Sequence, residues 1–343
     1  MISFCGSTPA SAEPYFAVRT GFKCSQCHIN QTGGGKRTEY GVIYSQTNLP
    51  MKLIRPTGRP RFVDGKINEF LSVGANFRAD NVSTFEYENS EGVKTAAGSH
   101  LRVSEANLYF QADLIPGAFT LYVDQILSPN TANRELFVLL RESGANLYAK
   151  VGRMLLPYGL RLFDDDAFIR DRTGYTYNRH DLGAEIGFEP GPVSLMGNIT
   201  DEQISVVGSA VMRRFRAGGS YARSTQRSGQ YVVGVFGGTN FGRITVLAEG
   251  DFITSDSIDR FAGLAELNVL IVQGFNFKTT YEFFDRNMDM SNDHDGQERI
   301  TFGVEPFLMQ FLQLSIFYRV NRFIPQADVE NQDQLTLQLH AFF

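Results

Sequence analysis

Apolar and polar residues alternate with a period of two along most of the chain, from about Asn68 to the carboxy terminus. The stretches AFTLYVD, FNFKTTYEFF and LQLSIFYRVN all show this alternation, and so does the final stretch QLTLQLHAFF. In that final stretch the apolar face holds Leu335, Leu337, Leu339, Ala341 and Phe343, and the polar face holds Gln334, Thr336, Gln338 and His340. The pattern predicts β-strands with one apolar and one polar face.

The connections between these strands alternate between short and long. Tight turns are expected near LIPG, GAN, PGP, RRF, TNFG, IVQG and LMQF, and polar loops at 81–99, 128–133, 154–181, 200–203, 226–229, 255–259, 287–296 and 324–332. Together they delimit about sixteen strands, and short turns opposite longer loops are typical of outer-membrane barrels. The sequence therefore predicts an all-β, antiparallel transmembrane β-barrel, with a soluble β-sandwich as the alternative.

The composition agrees with an all-β chain, and the net charge excludes one class of partner. The 343 residues include 33 Gly and 13% aromatics without any Trp, and no run of about 18 apolar residues predicts a membrane-spanning helix. The net charge of −5 argues against a nucleic-acid partner. The carboxy-terminal Phe343, which closes an alternating strand, is typical of chains inserted into the outer membrane.

The first residues contain a processing signal. Ala10-Ser11-Ala12 is a small-x-small pattern directly before Glu13, and such patterns precede signal-peptidase cleavage. We expect residues 1–12 to be a residual signal peptide; a short disordered tail is the alternative. Residues 13–60 then form a separate segment and residues 61–343 form the barrel.

The segment 13–60 contains a C-x-x-C-H motif formed by Cys24, Cys27 and His28. Two thiols at this spacing followed by an imidazole fit covalent attachment of one c-type haem, with His28 as the proximal iron ligand. A zinc site needs four ligands and lacks a second Cys pair, and a thioredoxin-like dithiol needs a βαβ context. A chance occurrence of the motif remains open.

This segment is too short to bury a haem by itself. One helix is expected from about Lys36 to Thr47, and prolines beginning at Pro50 prevent its continuation. Sixteen strands enclose a water-filled channel rather than a side-chain core. We therefore expect the segment to enter the lumen as a plug and to pack against inward-facing residues such as Thr120, Tyr122 and Asp124.

Other candidate residues have weaker support. Met51 is a candidate for the sixth iron ligand, although an ordinary apolar residue explains it as well. His100, His180, His294 and His340 are more simply explained as polar lining.

The long loop 154–181 is the third polar loop, and we expect it to bend into the channel. Its Asp164, Asp165 and Asp166 are a candidate docking site for a ferrous iron substrate or another divalent cation, or else they pair with the arginines of the loop. The loop also holds Arg170, Asp171, Arg172, Arg179, His180 and Asp181. A second acidic stretch, with Asp289, Asp293, His294 and Asp295, lacks calcium-loop spacing and is expected to be a solvated loop.

Two stretches resemble known families. AEPYFAVRTGFKCSQCHINQTGGGKRTEYGVIYSQTNLP resembles the amino-terminal part of the outer-membrane fused monohaem cytochrome–porins, through Phe16-Ala17, Thr20-Gly21, the C-x-x-C-H motif and Tyr40-Gly41. KVGRMLLPYGLRLFDDDAFIR is similar to a segment of the phosphate-selective porins. The first resemblance implies electron transfer through the outer membrane by one haem c, with iron(II) oxidase activity in the best-known members.

The resemblance also implies partners, namely an extracellular donor such as Fe(II) and a periplasmic carrier such as a c-type cytochrome. The connection pattern leaves both ends of the barrel on the side of the short turns, which predicts periplasmic amino and carboxy termini. Two other functions stay open: a diffusion porin for small anions or solutes whose haem segment is a plug or sensor, and a haem enzyme such as a peroxidase with an open sixth position.

Overall fold

The computed structural model describes residues 13–51, 62–88, 92, 94–227, 229–255, 257–288, 296–324 and 332–343. Sixteen strands in these ranges form one closed antiparallel barrel, in which each strand pairs with its neighbours in sequence and the first pairs with the last. The barrel strands are β1 Leu71–Thr84, β4 Gly98–Ile115, β5 Phe119–Ser128, β6 Ala132–Glu142, β7 Leu147–Leu155, β8 His180–Phe188, β9 Val193–Thr200, β10 Gln203–Met212, β11 Phe215–Ser224, β12 Tyr231–Phe241, β13 Ile244–Ser255, β14 Ile258–Val272, β15 Phe275–Asp285, β16 Gly296–Pro306, β17 Leu312–Ile324 and β18 Gln334–Phe342. A small separate hairpin, β2 Tyr87–Glu88 and β3 Lys94–Thr95, lies in the first long loop.

The strands are apolar outside and polar inside, the reverse of a soluble protein. In β9, Leu195 and Ile199 are exposed, whereas Asn198 and Thr200 are buried. In β18 the predicted apolar residue Leu337 points outward and the predicted polar residue Gln338 is fully buried. The hydrocarbon core of a bilayer requires an apolar surface, and the exposed band of Leu, Ile, Val and Phe provides one. The prediction of a transmembrane-type barrel is therefore confirmed at the level of the fold.

The predicted alternation of short and long connections is also confirmed. Tight turns such as 213–214 join the strands at one end, here called the turn end, and longer loops such as 156–179 join them at the other, the loop end. The turn expected near 239 lies at 242–243, because β12 continues to Phe241, which pairs with Ile244. None of the helices in the described part of the chain is long and apolar enough to cross a bilayer.

The loop 156–179, here called the inner loop, folds into the lumen as expected from its length. It contains a short helix, α4 Phe168–Asp171. Arg170 forms a buried ion pair with Glu249 of β13, and the Phe168 amide donates to Glu282 of β15 over 2.8 Å. Barrel carboxylates also accept hydrogen bonds from backbone amides of the inner loop; the Leu160 amide donates to Glu249 over 2.6 Å.

Residues 13–51, here called the plug, lie in the lumen. They form α1 Pro14–Thr20, α2 Cys24–Cys27 and α3 Glu39–Thr47. In α1, Tyr15 and Val18 are fully buried, and the Tyr15 hydroxyl donates to Glu305 over 3.2 Å. The helix expected from Lys36 begins instead at Glu39, because the Thr38 side chain caps it by accepting from the Gly41 amide.

Several charged residues that face the lumen are buried, and Asp124, Arg134 and Lys150 are 0% exposed. The cause is that the plug and the inner loop occupy the space that sixteen strands would otherwise leave to water. The charges are accommodated by buried pairs such as that of Lys150 with Glu185 at 2.8 Å.

Close contact between plug and inner loop gives a first testable prediction. Gly34 has φ +80°, and a Cβ at this position would overlap the Tyr177 hydroxyl. Gly34→Ala should destabilise the folded barrel by about 1–3 kcal/mol more than Gly117→Ala, whose φ is +78° but which has no atom within 4 Å of the added Cβ. Urea unfolding in detergent measures both, and equal losses would contradict the described contact.

Candidate functional site

The C-x-x-C-H motif forms a compact turn held by backbone hydrogen bonds. The His28 amide donates to the Cys24 carbonyl over 2.9 Å, and the Thr38 amide donates to the Cys27 carbonyl over 3.0 Å. Gly41 packs against that same carbonyl so closely that any Cβ would overlap it. This contact explains why a glycine is needed at position 41, where α3 crosses the motif. Both thiols are free.

The glycine-rich stretch after the motif turns the chain back so that it contacts the barrel wall. Gly33, Gly34 and Gly35 all have positive φ, which glycine adopts readily. The stretch ends where the Lys36 amide donates to the Tyr122 hydroxyl over 2.9 Å. The expected contact with the Tyr122 region of β5 is therefore present, whereas Thr120 donates to Asp113 instead.

The motif lines a cavity in the lumen that has about 1500 Å³ of empty space including its opening to solvent. Its walls include Met196, Val207 and His340, from parts of β9, β10 and β18 in the half of the barrel nearest the turn end. Tyr158, Gly159, Arg161 and Tyr177 of the inner loop cover the cavity on the side of the loop end. The cavity is thus bounded by plug, wall and inner loop, and it opens to solvent.

His28 is held in its neutral form. Burial lowers the pKa of His28 to about 3, and the nearby guanidinium of Arg37 acts in the same direction, while hydrogen bonding to the Gly35 backbone opposes it. Nδ1 is buried without a hydrogen-bond partner among the described residues. Neutral imidazole is the form that binds a metal, so His28 is prepared as a ligand rather than as a cation.

The cysteines do not have the properties of a redox-active pair. Burial raises the pKa of the Cys27 thiol to about 11, and the neighbouring Cys24 adds to the shift. Reactive cysteines usually have a lowered pKa in an electropositive environment. The arrangement favours neutral thiols that project into a cavity over a disulfide-exchanging dithiol.

Arginines without carboxylate partners surround the same cavity. Arg37, Arg161 and Arg216 line it, and none of them forms an ion pair with a carboxylate in the part of the chain that the structure describes. By contrast Arg78, which also lines the cavity, lies 3.0 Å from Glu105. Burial lowers the pKa of both Arg37 and Arg161, as expected for cations without a counter-ion. The cavity therefore favours an anionic occupant.

The remaining candidate iron ligands are placed differently from one another. Met51 does not line the cavity, and its amide donates to the Phe307 carbonyl at the turn end over 2.9 Å. His340 does line it, but its ring nitrogens lie 2.9 Å from Gln313 and 2.6 Å from Asn76. Met196 also lines the cavity on the barrel wall, and nothing in the sequence pattern distinguishes it from other inward residues.

The other histidines do not approach the motif. His100 is exposed, and His180 lies beside the Asn178 carbonyl at 2.8 Å and Arg153 at 3.4 Å. His294 lies outside the described residues, as do Asp289, Asp293 and Asp295 and the residues 1–12.

The structure does not bring Asp164, Asp165 and Asp166 together as a cation site. Asp164 and Asp166 both pair with Arg319 of β17, and Asp165 accepts from the Tyr177 amide. Burial raises the pKa of Asp165 to about 7. The described residues contain no cluster of three His, Cys, Asp or Glu side chains able to hold a metal ion. Asp164 and Asp166 thus pair with an arginine of the barrel wall, and not with the arginines of the loop that the sequence suggested.

Comparison with known proteins bears on the barrel alone. No family model matches the chain, and no curated protein matches its sequence. Solved structures do match in fold, each covering 80% of this chain: the outer-membrane protein OmpT of Vibrio cholerae (99% of that chain, 10% identity, TM-score 0.59), the anion-selective porin of Comamonas acidovorans (100%, 12%, 0.59) and Salmonella typhi OmpF in complex with daunomycin (97%, 10%, 0.59). The chain has a porin fold. At these identities the porin fold is shared without implying what passes through the barrel.

Proposed function

We propose that this porin-fold chain is an outer-membrane protein that binds one c-type haem in its lumen and moves electrons, rather than solutes, across the membrane. The observation that supports the proposal best is the position of Cys24, Cys27 and His28 together on the wall of a lumenal cavity. A haem bound there would supply one-electron iron chemistry.

The residues around the cavity fit such a group in four ways. Two free thiols lie on one turn, the neutral His28 follows them directly, and a cavity that opens to solvent lies beside all three. The unpaired guanidiniums of Arg37, Arg161 and Arg216 suit the two carboxylates of a porphyrin. The thiols, the histidine, the cavity and the arginines come from different parts of the fold. Together they favour haem over zinc or a chance motif.

The fold suggests how this site would serve electron transfer. The apolar exterior is suited to hydrocarbon about 25 Å tall, and a group in the lumen shortens the distance that electrons have to cross. Tyr158, which lines the cavity, stacks on Tyr175 at 4.4 Å, and Tyr175 donates to Gln203 beside a loop-end connection. We propose a donor such as Fe(II) at the loop end, outside the cell, and a carrier such as a c-type cytochrome at the turn end, with both termini in the periplasm.

A diffusion porin is the second candidate function, and it is favoured by the solved structures of similar fold, which include porins. In that function the plug would be a gate or sensor and small anions would be the cargo. The buried lumenal charges argue against free diffusion, because Asp124 and Arg134 would be wet in an open channel. A haem enzyme with an open sixth position has no specific observation in its favour.

Removing both thiols tests the proposal directly. Cys24→Ala with Cys27→Ala should abolish the haem signal that survives a denaturing gel, because only thioether bonds resist denaturation. Ser25→Ala, between the two cysteines, should retain the full signal. A wild-type protein without covalent haem would refute the proposal.

Two further measurements separate the candidate functions. For an electron carrier we expect the haem in intact cells to respond to a membrane-impermeant reductant added outside, and the wild-type protein to show little conductance in planar bilayers. A porin would give high conductance that persists in the double cysteine variant.

A further inference from the structure

The turn end of the barrel carries a group of positive side chains on its outer edge. Arg213 and Arg214 form the turn between β10 and β11, and Arg243 lies in the turn between β12 and β13. All three arginines are exposed. Together they are here called the basic rim.

Hydrogen bonds join the turns of the basic rim to their neighbours. The Arg214 carbonyl accepts from the Thr239 hydroxyl over 3.1 Å and from the Asn240 amide over 2.9 Å. The Arg243 carbonyl accepts from the Leu270 amide over 2.8 Å. The three arginines therefore lie on one continuous edge of the barrel and are not scattered around it.

No carboxylate among the described residues pairs with the basic rim. The stretches 208–219, 237–248 and 268–279, which surround these turns and the next one, contain no Asp or Glu. The Arg243 guanidinium donates to the neutral carbonyl of Ile271 over 3.1 Å, and none of the three arginines forms an ion pair within the described ranges. The basic rim is thus a locally positive edge of a chain whose net charge is −5.

The basic rim lies directly beside the apolar exterior of the barrel. Met212 pairs with Phe215 across the first turn, and Phe241 pairs with Ile244 across the second. These four side chains are between 42% and 68% exposed. The arginines therefore lie where the lipid-facing surface ends, which is the level of the headgroups, and long arginine side chains at this depth extend toward the phosphates.

A pocket opens beside Arg243. It has about 940 Å³ of empty space including its opening to solvent, and Arg243, Leu270 and Val272 belong to its lining. A guanidinium next to apolar side chains suits an amphipathic anion better than a bare ion.

We propose that the basic rim binds the phosphate of an anionic phospholipid in the leaflet at the turn end. Guanidinium groups bind phosphate through paired N–H donors, and a lipid with a net negative charge supplies the counter-ion that this edge lacks. Such a contact would hold this side of the barrel at a fixed depth in the bilayer. The inference rests on the membrane location of the barrel, and it does not depend on haem.

Native mass spectrometry of the protein in an uncharged detergent provides the test. With phosphatidylglycerol and phosphatidylcholine added in turn, the wild-type protein should retain the anionic lipid severalfold more strongly. Each arginine removed should weaken that retention about fivefold, so Arg243→Gln should cause one such loss and Arg213→Gln with Arg214→Gln a loss of about 25-fold. The matched control is Arg223→Gln with Arg227→Gln, which removes two exposed arginines near the loop end of the same strand β11 and should leave retention unchanged.

Equal retention of the two lipids by the wild-type protein would overturn the inference, and so would equal losses in the two double variants. Displacement of phosphatidylglycerol by millimolar inorganic phosphate, but not by chloride at the same ionic strength, would assign this edge to free phosphate instead of lipid. Heat-modifiable gel mobility checks that each variant is folded, and the lipid preference of the wild-type protein decides the question if one is not. Every variant keeps both cysteines, so the result on lipid is separate from any result on covalent haem.

Discussion

Replacing Arg170 with alanine should convert the occluded barrel into one that conducts ions. Arg170 ties the inner loop together and to the wall, through the ion pair with Glu249 and a 3.1 Å hydrogen bond to the Tyr158 carbonyl. Its loss leaves Glu249 buried without a counter-ion, which costs about 3–5 kcal/mol. The least costly response is for the inner loop to leave the wall and admit water, and single-channel conductance in planar bilayers would rise several-fold.

Asp171, within the same short helix, is the control for this prediction. Its side chain is about half exposed and lies 3.2 Å from Arg172 of the same loop, so Asp171→Ala should leave the conductance close to wild type. The double variant Arg170→Ala with Glu249→Ala should lose less stability than the sum of the two single variants, since both partners of one pair are removed. A folded Arg170→Ala barrel that conducts no better than wild type would show that another contact closes the lumen.

Removing a cation from the motif cavity should lower the reduction potential of the proposed haem. Arg161 and Arg216 line the cavity without carboxylate partners, and a positive charge close to the haem stabilises the state that holds one more electron. Arg161→Gln and Arg216→Gln should each shift the reduction equilibrium about tenfold toward the oxidised form, or ~59 mV for one electron. Spectroelectrochemical titration in detergent measures the shift.

An exposed arginine provides the charge control for this titration. Arg243 donates to the Ile271 carbonyl over 3.1 Å at the turn end, does not line the motif cavity, and its replacement by glutamine removes the same formal charge. Covalent attachment should survive in all three variants because both cysteines remain. If Arg243→Gln shifts the potential as much as Arg161→Gln does, the cavity arginines have no special role in binding the porphyrin carboxylates.

The barrel could be read from the sequence because its signal is local. Alternation such as that of Leu337 and Gln338 reports directly which face meets lipid, and connection lengths report the strand count. The inward course of the inner loop followed from its length and position. The C-x-x-C-H motif was equally local, since Cys24, Cys27 and His28 are adjacent in the chain.

The details of the site could not be read in the same way, because they depend on partners distant in sequence. Arg170 pairs with Glu249, and Asp164 pairs with Arg319, from strands far along the chain. Without those pairings the aspartates of the inner loop looked available for a metal ion. The role of the cavity arginines Arg37, Arg161 and Arg216 was missed for a related reason. No sequence pattern shows that a buried arginine has no carboxylate partner.

The closure of the barrel fixes an order of assembly. The seam is the pairing of β1 with β18, in which Asn76 meets Phe342, and the plug lies behind it with Arg37 over the Phe342 ring at 4.3 Å. The plug lies near the amino terminus and β18 near the carboxy terminus, so the residues inside the lumen are synthesised before the strand that closes the wall. If the chain binds haem as proposed, attachment at Cys24 and Cys27 is expected before this seam closes.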